Sequence, residues 1–434
     1  MADCHLNQVI YKSVTDQGHP FRTLDFMRAF EYNGNKCLDE IHPDLIVIAG
    51  DTYENFDPNN EVRSFLNEWL SKFNKAGIPV IIMVGNHDIC KRHYPLQPLH
   101  KLDLPKIKII ERPKIMKFKG HRLLLFPYSL DVEQEKVTIK EDFQAFVAKA
   151  HEEMEKEELP TFFFGHFGVK GAAMNAYVDE SALFGEDDED GTNTNTTTTE
   201  PVYKDFINTN PEDIGLKDLD DIGAEYVFLG DYHRHQVLRT KKCKAMYCGS
   251  IEKTDMSERD QGKGFLVYDS EADEDPEMGR CRFVTYPNCR PMLELRGSFA
   301  DMKAEFAKID NSKYQGAIVK LAFIGTRDEN VTFCTYADEF ERELVDKLKA
   351  VYIIRTTKTV DKKKEEEASK IEEKIMERGY VRNEDIIEIV EEIIEEQVPD
   401  DDEEELKLTK ELARWFWDRR TGVEEDVEDN DEEN

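Results

Sequence analysis

Eight residues of this chain have side chains suited to holding metals or moving protons: Asp3, His5, Asp51, Asn86, His87, His166, Asp231 and His233. Four of them (Asp51, Asn86, His166 and Asp231) follow directly on an apolar run and a glycine, and His87 and His233 come one and two residues later. They are carboxylates, imidazoles and one amide. That oxygen/nitrogen donor set, free of sulfur, suits manganese, iron, magnesium or zinc. Two divalent ions roughly 3.5–4 Å apart can clamp the attacking and leaving oxygens of a phosphoryl displacement. Such a pair needs one bridging carboxylate and a few ligands for each ion, and this set is large enough to supply them. The densest stretch is Val80-Ile81-Ile82-Met83-Val84-Gly85-Asn86-His87-Asp88. Its apolar, mostly β-branched half predicts a buried strand that Gly85 stops. Polar groups at the carboxyl end of such a strand stand where open α/β sheets place their ligands.

Elements in a fixed order must position these groups. Apolar spacing predicts a helix from Phe21 to Ile41, a strand over 44–49 ending in Gly50-Asp51, a helix from Glu61 to Ala76, and the Val80 strand. Weaker strands are expected at Ile107–Ile110, Ile115–Phe118 and Arg122–Phe126, then a helix from Lys140 to Glu157. The strand Thr161–Phe164 leads to Gly165-His166, and Glu225–Leu229 leads to Gly230-Asp231-Tyr232-His233. Four strands thus end alike, in the alternation of a sheet layered with helices. Residues 185–201 have no apolar content and read as a disordered insertion.

After about residue 263 the strands shorten (Gly264–Tyr268, Arg282–Tyr286, Met292–Leu295), with a helix near Phe299 to Ile309 and a strand over 317–324. This reads as a small α+β domain. Beyond Asp361 the chain is rich in Glu and Lys, with an apolar stripe at Ile386, Val390, Ile393 and Ile394. An acidic run, Asp400–Glu405, precedes a segment holding Trp415, Phe416 and Trp417, and residues 421–434 read as an acidic, disordered tail.

The formal charge of −34 over 434 residues argues against indiscriminate adhesion to nucleic acid or anionic membrane, and leaves room only for a local basic path. About half of the acidic excess lies beyond residue 360, so the part bearing the eight residues is less acidic than the total. The eight cysteines are scattered with no CxxC pair, as expected of reduced thiols in a cytoplasmic protein. No apolar run approaches the length of a membrane span.

The ordered pieces D-x-H, G-D, G-N-H-D, a lone His and G-x-x-H resemble the metallo-phosphoesterase pattern. Within that superfamily the chain resembles the SbcD-type DNA double-strand-break repair nucleases over most of residues 1 to about 290. Tyr247-Cys-Gly-Ser-Ile-Glu-Lys-Thr-Asp255 and Gly262-Lys-Gly-Phe265 look like that family's segment after the last metal motif. Gly165-His-Phe-Gly-Val-Lys-Gly171 looks most like its bacteriophage branch. The resemblance implies an α/β fold: a two-sheet sandwich flanked by helices over 1–285, a small α+β capping domain over 286–357, and a helical partner-binding extension over 358–420. It implies two divalent ions, most of all manganese and next magnesium. Asp3, His5 and His233 would hold one, Asn86, His166 and Asp231 the other, and Asp51 would bridge. His87 would face the phosphate, with Asp88 orienting it or the turn.

The chain departs from that family at three points. Asp231 stands where the family carries His, which makes the site harder and favours manganese or magnesium over zinc. Glu54 stands where many members have His. The strand that precedes D-x-H is missing, so either the true start lies upstream or the chain is truncated, and the Asp3/His5 side is expected to be loosely held.

The implied activity is metal-dependent DNA phosphodiester hydrolysis in repair, recombination or replication, as the nuclease subunit of a complex with an SbcC-type ATPase. A homodimer within that complex is expected, and no membrane. Trp415, Phe416 and Trp417 are the expected anchors for the ATPase. Two other readings use the same residues: a phosphatase or cyclic-nucleotide phosphodiesterase, and a scaffold subunit with impaired catalysis.

Overall fold

The computed structural model describes residues 1–11, 13–15, 18–90, 94–178, 203–210 and 213–359. The expected insertion at 185–201, the C-terminal helices, Trp415–Trp417 and the acidic tail lie outside the described residues.

Helix α1 (Phe21–Lys36) is shorter than its apolar spacing predicts, because Cys37–Ile41 widens into a π-helical turn that His42 closes at φ 49°. Strand β1 (Ile46–Ala49), helix α2 (Asn60–Lys75), β2 (Val80–Met83) and β3 (Ile107–Ile110) follow. Asn59 caps α2 by accepting from the Val62 amide. The three strands form one parallel sheet in the order β1-β2-β3. Its outer face packs on α1 and α2 through Ile48, Val80, Ile82, Phe30 and Trp69.

Strands β4 (Lys114–Phe118) and β5 (His121–Phe126), the short helix α3 (Leu130–Glu133), helix α4 (Ile139–Lys156) and β6 (Thr161–His166) come next. The short pieces β7 (Val169–Lys170), β8 (Ala173–Val178), β9 (Tyr203–Ile207), β10 (Ile214–Gly215) and α5 (Leu216–Asp220) lead to β11 (Tyr226–Gly230), β12 (Gln236–Leu238) and β13 (Lys244–Tyr247). A six-stranded mixed sheet runs β12-β13-β11-β6-β5-β4. One of its faces meets α4 through Phe126, Phe143, Phe146 and Phe163. The other meets the first sheet: Ile81 and Met83 share a core with Leu123, Phe162, Tyr226 and Phe228. Helices therefore cover both outer faces of a two-sheet sandwich, as the sequence predicts. The near-continuous apolar runs of β2, β6 and β11 reflect burial on both faces.

The rest of the described chain is β14 (Gly264–Tyr268), β15 (Cys281–Thr285), β16 (Met292–Gly297), α6 (Phe299–Phe306), β17 (Ile318–Gly325), α7 (Arg327–Leu348) and β18 (Tyr352–Thr359). Two compact units emerge. The first holds Met1–Leu295, Ile309–Lys320 and Phe340–Ile354. Within the second, α6 starts with a Ser298/Asp301 capping box, and Phe323 stacks on Phe333 at 5.1 Å.

Candidate metal centre

Parallel strands deliver the chemistry to one end of the sandwich. Residues 1–6 run beside β1 and are held there by backbone hydrogen bonds: Ala49 donates to Met1 O, Asp3 to Gly50 O, His5 to Asp51 O and Leu6 to Thr52 O. Asp3 and His5 are almost wholly buried, so this side is fixed rather than loose. Asp51 follows β1, Asn86 and His87 follow β2, His166 ends β6, and Asp231 and His233 follow β11. Four of these residues bend back with left-handed φ: Asp3 48°, His5 40°, Asp51 48° and Asp231 99°. Non-glycine residues rarely adopt that region, and such strain clusters at functional sites.

The glycines before the site residues permit close approach. A Cβ on Gly85 would lie 2.1 Å from Asp51 Oδ1, and one on Gly50 would lie 2.0 Å from His166 Nδ1. Gly50 also has φ 90°.

The imidazoles share one orientation. His166 Nδ1 lies 2.9 Å from Ala49 O, and His233 Nδ1 lies 2.8 Å from Glu258 Oε1. His5 Nδ1 is 2.8 Å from Glu54 Oε2, although out of line for a hydrogen bond. The Nε2 atoms turn inward. His166 Nε2 is 2.9 Å from Asn86 Oδ1 and 3.3 Å from Asp51 Oδ1. His5 Nε2 is 3.8 Å from Asp51 Oδ2 and 3.0 Å from His233 Nε2. Potential ligand atoms converge in three groups: Asp3, His5 and His233; His5, Asp51 and His87; and Asp3, Asp51 and His166. Asp3, His5 and Asp51 each stand in two of them, and Asp51 is the carboxylate that lies within reach of both His5 and His166. Asp231 enters none of the three; its amide donates to Asp3 Oδ1 at 2.9 Å. Asn86 is exposed, and His87 half-buried.

The charges are strongly coupled. Burial alone would raise the Asp51 pKa, but His166, then His5 and His87, hold it below the usual carboxylate range. Burial would likewise discharge His166, and the Asp51 and Asp3 carboxylates outweigh it and hold its pKa up. At Asp231 the compensation falls short: burial, joined by Asp51 and Asp3, pushes it up to about 6 against the pull of His166 and His233.

Residues 1–235 match the calcineurin-like phosphoesterase family. The chain belongs to that family. This phosphoesterase is 24% identical over 289 residues to the SbcD component of the SbcCD nuclease of Staphylococcus epidermidis, covering 63% of this chain and 67% of that protein. It is 32% identical over 113 residues to the DNA double-strand break repair protein Mre11 of Sulfurisphaera tokodaii, covering 24% of this chain and 29% of that one. With the Mre11 of Archaeoglobus fulgidus it shares 35% over 92 residues, which is 21% of this chain and 19% of the other. The chain therefore spans about two thirds of the first relative and less than a third of either Mre11 protein.

Calcineurin-like phosphoesterases bind divalent metals, and the residues of this phosphoesterase fit such a guest. His5 Nε2 and His233 Nε2 lie 3.0 Å apart and share a hydrogen bond. Burial would discharge His233, but Glu258 outweighs it and holds its pKa up to about 9. A divalent ion in place of the shared proton would be held by both nitrogens. Asp3 Oδ2 is buried without a hydrogen-bond partner beside them. An imidazole that gives its outer nitrogen to an oxygen acceptor is the usual posture of a metal-binding histidine.

Three residues behave in ways that spacing does not disclose. Asp88, grouped with His87 in the sequence, is fully buried and accepts from the amides of Thr52, Tyr53 and Gly85. It fastens the β1 turn to the β2 turn, while burial and then Asp51 push it up to about 7. Glu258 and Lys263, both wholly buried, form an ion pair at 2.7 Å behind His233. Lys263 Nζ also donates to His233 O at 2.8 Å and to Ser250 Oγ at 2.9 Å. Burial would raise Glu258, but Lys263 and His233 hold it below the carboxylate range. The one sequence signal for this buttress is a lysine between two glycines at the head of a strand, in Gly262-Lys263-Gly264.

Proposed function

We propose that this phosphoesterase is a DNA nuclease that uses two divalent ions, manganese foremost and magnesium next. The observation that supports it best is the common posture of His5, His166 and His233, each with Nδ1 turned to an oxygen and Nε2 turned to the shared centre. Asp3, His5 and His233 would hold one ion, Asn86, His166 and Asp231 the other, and Asp51 would bridge. When bound, such ions neutralise the charge that builds on the phosphate oxygens and raise the acidity of water.

The chain's own residues do the rest. His87 donates from Nδ1 to Glu54 O at 2.7 Å, and its amide donates to Asp51 Oδ1 at 3.0 Å. Backbone and ring are thereby pinned, and Nε2 is the nitrogen left for substrate. As an imidazolium it can donate from Nε2 to the departing 3′-oxygen. Asp88 positions His87 through the turn. Glu258 holds the His233 ring, so Nε2 keeps its direction.

The relatives' names, an SbcCD nuclease and the DNA double-strand break repair protein Mre11, support DNA as the substrate. The same names support a role in DNA repair beside an SbcC-type ATPase. In this reading residues 286–357 would form a capping domain, residues 358–420 would bind the ATPase, and the assembly would be a cytoplasmic homodimer. Within the described residues no helix is long and apolar enough to cross a membrane.

The deciding experiment compares linear DNA with phosphomonoesters and cyclic nucleotides, with manganese, with magnesium and with chelator. Metal-dependent cleavage of DNA, faster than turnover of the small esters, is expected. Turnover of the small esters without DNA cleavage would make the protein a phosphatase or cyclic-nucleotide phosphodiesterase. No turnover of either would make it a scaffold.

A further inference from the structure

Against a formal charge of −34, one face of the first unit is basic. Lys101, Lys106, Lys108, Arg112 and Lys114 are all exposed. None of the five forms an ion pair among the described residues. The neighbouring Lys117 and Lys119 are neutralised by Glu157 and Asp44. Between residues 101 and 119 the one exposed acid is Asp103.

Topology makes these cations a track. β3 is an edge of the three-stranded sheet and β4 an edge of the six-stranded sheet. Lys108 stands opposite Ile81, whose side chain lies in the core between the sheets. Lys114 shares its side of β4 with Met116 and Phe118, which pack on that same core. Lys108 and Lys114 therefore meet at the open seam of the sandwich, where both line a cavity of about 400 Å³. One end of the seam adjoins the metal centre. Val84, next to Gly85-Asn86-His87, donates its amide to Ile110 O at 3.1 Å, and Arg112 lies two residues further on. From Ile110 back to Lys106 the strand extends about 13 Å.

Lysines on edge strands also guard against edge-to-edge pairing. That role accounts for Lys108 and Lys114, but not for Lys101 and Arg112, which lie off the strands. A chain with 92 acidic and 58 basic residues could guard an edge with Glu or Asp equally well. Lys108 and Lys114 on one cavity, with Lys101 and Lys106 exposed on the same stretch and none of them in an ion pair, instead call for a polyanion, while Arg112 lines the neighbouring cavity beside Asp131.

We propose that the β3–β4 seam is a track for the phosphate backbone of duplex DNA leading to the metal centre. The proposal rests on the nuclease reading above. B-form DNA carries one phosphate per ~3.4 Å of axis on each strand, so a track of ~13 Å faces roughly four phosphates of one strand.

The test uses the full chain with Lys106→Glu, Lys108→Glu and Lys114→Glu combined, and a second triple variant with Gln at the same positions. Duplex affinity is measured between about 50 and 200 mM salt, beside turnover of bis(p-nitrophenyl) phosphate. In both variants the salt slope should fall by about 3, near 0.9 for each phosphate no longer neutralised. Duplex affinity should drop at least tenfold, while turnover of the small diester stays at the wild-type rate. Unchanged affinity and slope overturn the track, as does a loss of small-diester turnover that matches the loss on DNA. Retained DNA affinity with lost binding to polyglutamate would assign the seam to an acidic protein and overturn it too. A wild-type protein that cleaves the small diester but neither binds nor cuts duplex would overturn the nuclease reading itself.

Discussion

Replacing Glu258 by Gln separates what the buttress does for stability from what it does for metal. The substitution keeps the volume and removes one negative charge from a pair that is 2.7 Å apart and 0% exposed on both sides. Lys263 keeps His233 O, Ser250 Oγ and Gln261 Oε1 as acceptors but loses its counter-charge. Breaking a buried pair from one side destabilises by about 3–5 kcal/mol, and these three acceptors put Glu258→Gln near the lower figure. His233 also loses the carboxylate that orients it, a change that weakens metal affinity about 10–100-fold, or roughly 1.4–2.8 kcal/mol. The two effects come apart in the double variant Glu258→Gln/Lys263→Met. With no orphaned charge left, it should regain most of the stability and none of the affinity. Urea unfolding and manganese titration calorimetry read the two quantities. Wild-type manganese affinity in Glu258→Gln would refute the buttress, and so would a double variant less stable than the single one.

Three further outcomes are expected. His87→Ala should bind manganese as the wild type does and lose cleavage by about 10²–10⁴-fold, the usual contribution of a positioned acid or base; near-normal turnover of DNA would remove His87 from the chemistry. Asp88→Ala strips the acceptor from three buried amides and should destabilise the fold by about 2–4 kcal/mol in urea unfolding, whereas a loss under about 1 kcal/mol would deny its latching role. Deleting residues 361–434 should abolish co-purification with an SbcC-type ATPase and spare metal-dependent nuclease activity; retained binding would place the partner surface elsewhere.

Much of the sandwich was readable because its strands are buried on both faces. Continuous apolar runs at 80–84, 161–164 and 225–229, each closed by glycine, leave little else for those segments to be. The gathering of Asp3, His5, Asp51, Asn86, His166 and His233 was readable for the same reason, since parallel strands bring their carboxyl ends together. Helix α7 was not foreseen. Its buried stripe, Phe333, Ala337, Phe340, Leu344 and Leu348, has helical spacing, but it begins in Val331-Thr-Phe-Cys-Thr-Tyr336, a run that favours strand by residue type. The Glu258–Lys263 pair stayed hidden because each charge looks like ordinary surface until burial is known. Asp88 sits in the motif beside two chemical residues, and only its three amide partners show that it faces the backbone. The basic seam escaped because its cations come from two sheets and a loop, with no run dense enough to stand out.

The central claim is that Asp3, His5, Asp51, Asn86, His166, Asp231 and His233 hold two divalent ions. Crystals grown with manganese and measured at its absorption edge test it most directly. Two anomalous peaks are predicted, both touching Asp51, one also within ligand distance of Asp3, His5 and His233 and the other of Asn86, His166 and Asp231. No peak at the carboxyl ends of β1, β2, β6 and β11, or a single peak with Asp231 or His233 turned away, would contradict it.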